Sequence, residues 1–143
     1  MGSPMGNRTI HFLLVEDDEV DVMTMERAFE KGGIKDPLFV ARTGVQAFEM
    51  LHDNAVPNIR RVVLLDLNMP GMNGLEFLQK LRADPELRVT PVVVLTTSTH
   101  QRDLERAYEL NVAGYLVKPV TFAKFVEVVK RLDAYWRTVE MPR

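Results

Sequence analysis

Five short segments in which every residue is apolar, separated by longer amphipathic segments, constrain the fold of this chain most strongly. The apolar segments span residues 12–15, 38–41, 62–65, 92–95 and 115–117. Strands that are apolar on both faces are typical of a parallel sheet covered by helices on each side. The alternation of five such strands with five helical segments predicts a doubly wound α/β fold with right-handed crossovers.

The amphipathic segments repeat their apolar residues at the spacing of a helix face. In chain order the five faces are Val22-Met25-Ala28-Phe29, Ala47-Phe48-Leu51, Phe77-Leu78-Leu81, Leu104-Ala107-Tyr108 and Phe125-Val129-Leu132-Trp136. Gly32 and Gly33 are expected to end the first helix, and Thr121 to cap the fifth. The pattern Ser98-x-x-Gln101 fits a capping box that begins the fourth helix. For a chain of this size, the natural solution is a flavodoxin-like five-stranded parallel sheet in the order 2-1-3-4-5.

Length, charge and cysteine content narrow the class of protein. The 143 residues fit one domain, which we predict to span residues 9–137, between an unstructured N-terminal segment, 1–8, and a tail, 138–143. We interpret residues 2–4 as a cloning remnant and expect the native start near Met5. The net charge of -2 argues against nucleic acid or membrane as a partner. The chain has no cysteine, which excludes disulfides and thiolate chemistry and agrees with a cytoplasmic location.

Polar residues follow four of the predicted strands. They are Glu16-Asp17-Asp18, Asp66-Leu67-Asn68, Thr96-Thr97-Ser98 and Lys118-Pro119. Doubly wound sheets bind ligands at the carboxyl ends of their strands, where the strand order reverses. We therefore expect these four loops to converge on one site.

The charged members of this site indicate phosphoryl chemistry. Clustered carboxylates from Glu16, Asp17 and Asp66 need a cation to persist at neutral pH, and Mg²⁺ suits a site with few protein ligands. An aspartate held against Mg²⁺ and Lys118 can attack phosphorus and form an aspartyl phosphate. We interpret the further acids Asp18, Glu19 and Asp21 as surface charges that open the first helix, without metal roles.

These residues resemble the CheY-like response-regulator receivers. The matching motifs are LLVEDD (13–18), LLDLNMPGMNG (64–74), PVVVLT (91–96) and GYLVKP (114–119). They occur in the family's order and spacing over nearly the whole chain. The resemblance implies a single-domain response regulator that receives a phosphoryl group from a histidine kinase or a phosphotransfer protein. It would catalyse its own phosphorylation and dephosphorylation, and would signal by protein contact rather than as an enzyme.

The resemblance also implies a role for each site residue. Asp66 would be the phosphoacceptor. Asp17 would bind Mg²⁺, Glu16 would help through the water shell of the ion, and the backbone carbonyl of Asn68 would be a further ligand. The phosphoryl-binding side chains would be Thr96 and Lys118, the switching aromatic Tyr115, and the Lys118–Pro119 peptide cis. From the residues alone, Thr97, Ser98 and Thr99 compete with Thr96, and Tyr115 could be an ordinary packed strand residue.

A narrower resemblance is to the small response regulators that partner phytochromes. It rests on LLVED (13–17) and on the tail VKRLDAYW (129–136). It implies a phytochrome-type photoreceptor kinase as partner and a homodimer built on the fourth and fifth helices with the fifth strand. The last helix also carries apolar residues beside its main face, which would suit two packing partners.

Three alternatives remain at this point. A Mg²⁺-dependent phosphohydrolase would want an acid–base aspartate two residues after the nucleophile, where this chain has Asn68. A flavin- or nucleotide-binding protein would want a phosphate-binding loop rich in glycine, serine or threonine after the first strand, where this chain has Glu16-Asp17-Asp18. A degenerate receiver would lack a competent side chain at one of the site positions, yet each is filled.

Overall fold

A five-stranded parallel sheet with helices on both faces forms the framework of the computed structural model, which describes residues 9–69 and 73–141. The strand order is β2-β1-β3-β4-β5, which confirms the predicted topology. The elements in chain order are β1 (His11–Val15), α1 (Glu19–Lys31), β2 (Leu38–Ala41), α2 (Gly44–His52), β3 (Arg61–Leu65), α3 (Gly74–Ala83), β4 (Val92–Thr96), α4 (Gln101–Glu109), β5 (Gly114–Val117) and α5 (Phe122–Thr138).

Two apolar layers, one on each face of the sheet, account for the wholly apolar strands. Leu13 and Val63 belong to the layer covered by α2, α3 and α4, whereas Phe12 and Val62 belong to the layer covered by α1 and α5. Because side chains alternate across a strand, both faces of β1 and β3 must be apolar to fill both layers. In the second layer, Phe12 contacts Phe29 of α1 edge to face.

The helix ends agree with the sequence at three places and differ at one. Asp18 caps α1, Gly32 ends it, and Thr121 caps α5 through the Lys124 N–H. The capping box predicted at Ser98 is wrong, since α4 begins at Gln101 after His100. The Ser98 hydroxyl instead donates to the Asp103 carboxylate at 2.6 Å and accepts the His100 N–H.

The predicted domain boundaries at residues 9 and 137 stay predictions, and the first described strand begins at His11. Residues 1–8, including the suspected cloning remnant, lie outside the described residues, as do residues 70–72 of the motif LLDLNMPGMNG (64–74). The last helix ends at Thr138, one residue beyond the predicted boundary. Within residues 9–69 and 73–141, no helix combines the length and hydropathy that crossing a bilayer requires.

Candidate functional site

Asp66 lies directly after β3, at the sheet edge where the carboxyl ends of the strands meet. Its Oδ1 accepts the Asn68 backbone N–H at 3.0 Å and the Thr96 hydroxyl at 3.1 Å, and its Oδ2 accepts Lys118 Nζ at 3.1 Å. Only 8% of the Asp66 side chain is exposed. The structure therefore places a nearly buried carboxylate among three hydrogen-bond donors.

Lys118 is the cation of this site. Its Nζ lies 2.9 Å from Glu16 Oε1, 3.1 Å from Asp21 Oδ2 and 3.1 Å from Asp66 Oδ2. An ammonium has three N–H donors and no acceptor, so these three carboxylates occupy every donor of Lys118. The predicted convergence of β1, β3 and β5 on one site is thus observed for Glu16, Asp66 and Lys118.

An acidic cluster surrounds this lysine. Glu16, Asp21 and Asp66 each offer one carboxylate oxygen, and these oxygens all lie within 4.8 Å of one another. The interpretation of Asp21 as a surface charge alone is wrong, because the first turn of α1 directs its side chain back over the strand ends to Lys118. The only sequence signal was its position in the first helical turn after Glu16.

Two other predicted metal ligands stand apart from this cluster. In the part of the chain that the structure describes, Asp17 is exposed and does not belong to the group of carboxylates around Lys118. Asn68 is exposed as well, and its side-chain amide donates to the Thr96 hydroxyl oxygen at 3.3 Å. The metal roles of Asp17 and of the Asn68 carbonyl therefore stay predictions.

Thr96 and Tyr115 are linked through the loop between β4 and α4. Thr96, fully buried, is the hydroxyl residue that donates to Asp66, while Thr97 only accepts a 3.5 Å contact from the Asn68 amide. The Tyr115 hydroxyl donates to the Ser98 carbonyl at 3.1 Å, and its ring packs against the core layer of α2, α3 and α4. Tyr115 is thus both a packed strand residue and a contact of this loop.

Comparison with known proteins gives the family of this chain. The family description "Response regulator receiver domain" matches residues 12–130. This chain belongs to the response-regulator receiver family. It is therefore a signalling domain of two-component systems, as its site residues suggested, and neither a phosphohydrolase nor a flavin-binding protein is supported.

Three proteins that are similar to this chain show which kinds of response regulator it resembles. The probable methanogenesis regulatory protein FilR2 of Methanothrix harundinacea is 40% identical over 126 residues, which are 87% of this chain and 81% of FilR2. The crystal structure of the Mn²⁺-bound response regulator Rcp1, a protein of Synechocystis, has a TM-score of 0.78 at 34% identity and covers 92% of this chain and 98% of Rcp1. The phosphorylated cyanobacterial phytochrome response regulator RcpA has a TM-score of 0.80 at 30% identity, covering 92% and 97%.

Burial and neighbouring charges shift the pKa values of Glu16 and Asp66 in opposite directions. Burial raises the pKa of Glu16 to about 7, and the hydrogen bond and charge of Lys118 oppose this only in part. Burial also acts to raise the pKa of Asp66, but the Asn68 N–H and the Lys118 charge outweigh it and hold this pKa below its ordinary range. The carboxylates around Lys118 raise its pKa despite its burial. Asp66 is therefore the ionised acid, ready to act as a nucleophile.

Gly74 allows α3 to begin in close contact with the backbone of Asp66. A Cβ at this position would lie 2.5 Å from the Asp66 carbonyl oxygen and 2.7 Å from Leu67 Cα. The Gly74 N–H also donates to the Leu67 carbonyl at 3.1 Å. Because both close neighbours are backbone atoms that cannot turn aside, this position requires glycine.

The expected cis peptide before Pro119 is not observed. The Lys118–Pro119 bond is trans, the isomer that X–Pro bonds favour by ~0.5–1 kcal/mol. In this isomer the Lys118 N–H donates to the Thr96 carbonyl at 2.7 Å, and Nζ still reaches Asp66. The cis prediction is therefore wrong.

Proposed function

We propose that this receiver takes a phosphoryl group from a histidine kinase, or from a phosphotransfer protein, onto Asp66. The observation that carries the proposal is the ionised, nearly buried Asp66 carboxylate, held by donors from Asn68, Thr96 and Lys118. A carboxylate oxygen forms the new bond to phosphorus, the phosphorus–nitrogen bond of the donor breaks, and the leaving imidazole keeps the electron pair and takes a proton. No base is needed on the receiver because Asp66 attacks as the anion.

The residues at this site suit Mg²⁺. Three carboxylates lie around a single ammonium, so the site carries more negative than positive charge, and oxygen ligands are those that Mg²⁺ prefers. Glu16, Asp17 and Asp66 would hold the ion with the Asn68 carbonyl, and the bound ion would neutralise charge on the transferring oxygens. That the related Rcp1 was crystallised with Mn²⁺, another ion suited to oxygen ligands, supports this assignment.

We propose that three residues respond to the phosphorylation of Asp66, namely Thr96, Lys118 and Tyr115. A phosphoryl group adds about -1.5 to -2 charge and strong acceptor oxygens beside the Thr96 hydroxyl and the Lys118 ammonium. When Thr96 shifts towards these oxygens, the loop that follows it must shift as well, and Tyr115 is bonded to that loop at Ser98. The change would thereby reach β5 and the surface beside it.

We propose that the signal leaves through the surface of α4, β5 and α5, as a homodimer or another protein contact. Tyr108, Val117 and Tyr135, one from each element, are 51%, 48% and 57% exposed. An exposed apolar or aromatic group on each of these three elements is the feature that makes this surface the proposed interface. A phytochrome-type photoreceptor kinase is the proposed donor, because RcpA is a phytochrome response regulator. A cytoplasmic location is part of the same proposal.

Intact-mass measurement tests the acceptor. With acetyl phosphate and Mg²⁺, we expect the protein to gain the mass of one phosphoryl group and to lose it again by its own activity. Asp66→Asn should gain nothing and stay folded, whereas Asp53→Asn, an exposed acid at the end of α2, should be labelled normally. A mass gain that survives Asp66→Asn would overturn the assignment.

A further inference from the structure

Asp21 makes a contact that the chemistry proposed above does not use. Its Oδ2 lies 3.1 Å from Lys118 Nζ, as close to the ammonium as Asp66. The residue is contributed by α1, whereas Glu16, Asp66 and Lys118 directly follow strands. Its backbone N–H is held separately by the Asp18 cap, so the side-chain contact is not required to form the helix end.

The three carboxylates on Lys118 differ in what they can contact if the lysine moves. The Glu16 side chain is 3% exposed and that of Asp66 is 8% exposed, so neither can exchange the lysine for water. The Asp21 side chain is 43% exposed and can be solvated without moving the helix. Burying an unpaired carboxylate costs far more than exposing one, so Asp21 is the partner that Lys118 can leave.

A phosphoryl group on Asp66 forces that exchange. All three donors of Lys118 are occupied, and a phosphoryl group brings new acceptor oxygens that compete for them. The Asp21 oxygen also lies within 4.8 Å of an Asp66 oxygen, so its negative charge repels the incoming group. Competition for the lysine and direct repulsion act in the same direction, against the phosphorylated state.

We propose that Asp21 is a positioning residue that holds Lys118 in the unphosphorylated receiver and releases it when Asp66 is phosphorylated. Asp21 thus opposes phosphorylation through Lys118, and its removal favours the phosphorylated arrangement. This inference rests on the proposed role of Asp66 as acceptor and of Lys118 as a phosphoryl-binding residue.

Equilibrium binding of beryllofluoride, a tetrahedral mimic of the phosphoryl group, at saturating Mg²⁺ tests the proposal. Asp21→Asn should bind the mimic more tightly by up to about fivefold, the range that a half-exposed ion pair supports. The matched control is Glu19→Gln, which removes the other acid of the same helical turn, one that pairs with Arg42 instead of Lys118. Its affinity should stay at the wild-type value.

The same substitutions in a Lys118→Gln protein test whether Asp21 acts through the lysine or has a direct or merely structural role. In Lys118→Gln, adding Asp21→Asn should strengthen binding by less than it does in the wild-type protein, because the competed lysine is gone and only the direct repulsion by Asp21 remains. An undiminished effect there, unchanged binding in Asp21→Asn, or the weaker binding expected if Asp21 held the metal would each overturn the inference. Wild-type protein that binds no beryllofluoride, or Asp66→Asn that still binds it, would instead overturn the proposed acceptor.

Discussion

The Tyr115 hydroxyl lies 3.1 Å from the Ser98 carbonyl and so fastens β5 to the loop that follows Thr96. The bond joins a residue that packs on the core to the segment that would move with the phosphoryl group. Its removal should loosen this loop without touching Asp66.

Tyr115→Phe should therefore lower the free energy of unfolding by about 1 kcal/mol, the typical net value of one hydrogen bond, while phosphorylation of Asp66 continues. Urea unfolding, read as a lower midpoint at constant slope, measures the first effect, and intact mass measures the second. The control is Tyr108→Phe, since Tyr108 is half exposed on α4 and its hydroxyl makes no hydrogen bond within the described residues. Equal midpoints for the two variants would contradict the prediction.

Lys118→Ala should cost about 3 kcal/mol or more of stability in the absence of Mg²⁺, because it leaves buried carboxylates without a counter-charge. Added Mg²⁺ should restore part of the loss by supplying positive charge to the same acids. Acetyl phosphate should also label this variant less than it labels the wild-type protein. Lys130→Ala, an exposed lysine on α5, is the control and should match the wild type in unfolding and labelling. A Lys118→Ala protein as stable as this control would refute the account of the cluster.

Gly74→Ala should destabilise the receiver by about 1–3 kcal/mol, as overpacking against fixed neighbours does. The new methyl group would press on the Asp66 carbonyl and Leu67, so the rate of phosphorylation should fall as well. Gly114→Ala is the matched control, because no atom from beyond its two chain neighbours lies within 4 Å of a Cβ at Gly114. Thermal unfolding of both variants gives the comparison, and equal losses would show that close packing at Gly74 is not the cause.

Mg²⁺ affinity should rise with pH from about 5.5 to 8, because burial raises the pKa of Glu16 to about 7 and a proton there competes with the ion. In the metal-free protein the folded state keeps this proton above the ordinary pKa of 4.5, where the unfolded chain has released it. The contribution of Glu16 to stability is therefore full below pH 4.5 and is lost as pH rises through about 7.

Calorimetric Mg²⁺ titrations at several pH values check the metal part, and urea unfolding of the metal-free protein checks the stability part. Glu16→Gln should flatten both profiles, whereas Glu49→Gln, an exposed acid on α2, should leave them unchanged. A steep pH dependence that persists in Glu16→Gln would show that another group is responsible.

The fold and the convergence of Glu16, Asp66, Thr96 and Lys118 could be predicted from the sequence. Wholly apolar strands alternating with helices leave few topologies, and a parallel topology places the residues that follow the strands at one edge. Each of these side chains is fixed within one or two residues of a strand end, so its position follows from the pattern alone.

The contacts that depend on how a helix sits on the sheet could not be predicted. Asp21 lies on α1 and Lys118 directly follows β5, 97 residues later in the sequence, so their contact depends on where α1 packs in the tertiary structure. Strand order thus followed from the hydrophobic pattern, whereas the partners of Lys118, whose side chain is 13% exposed, were decided by tertiary packing. The reason is that a charged side chain pairs with the acceptors that packing leaves within its reach.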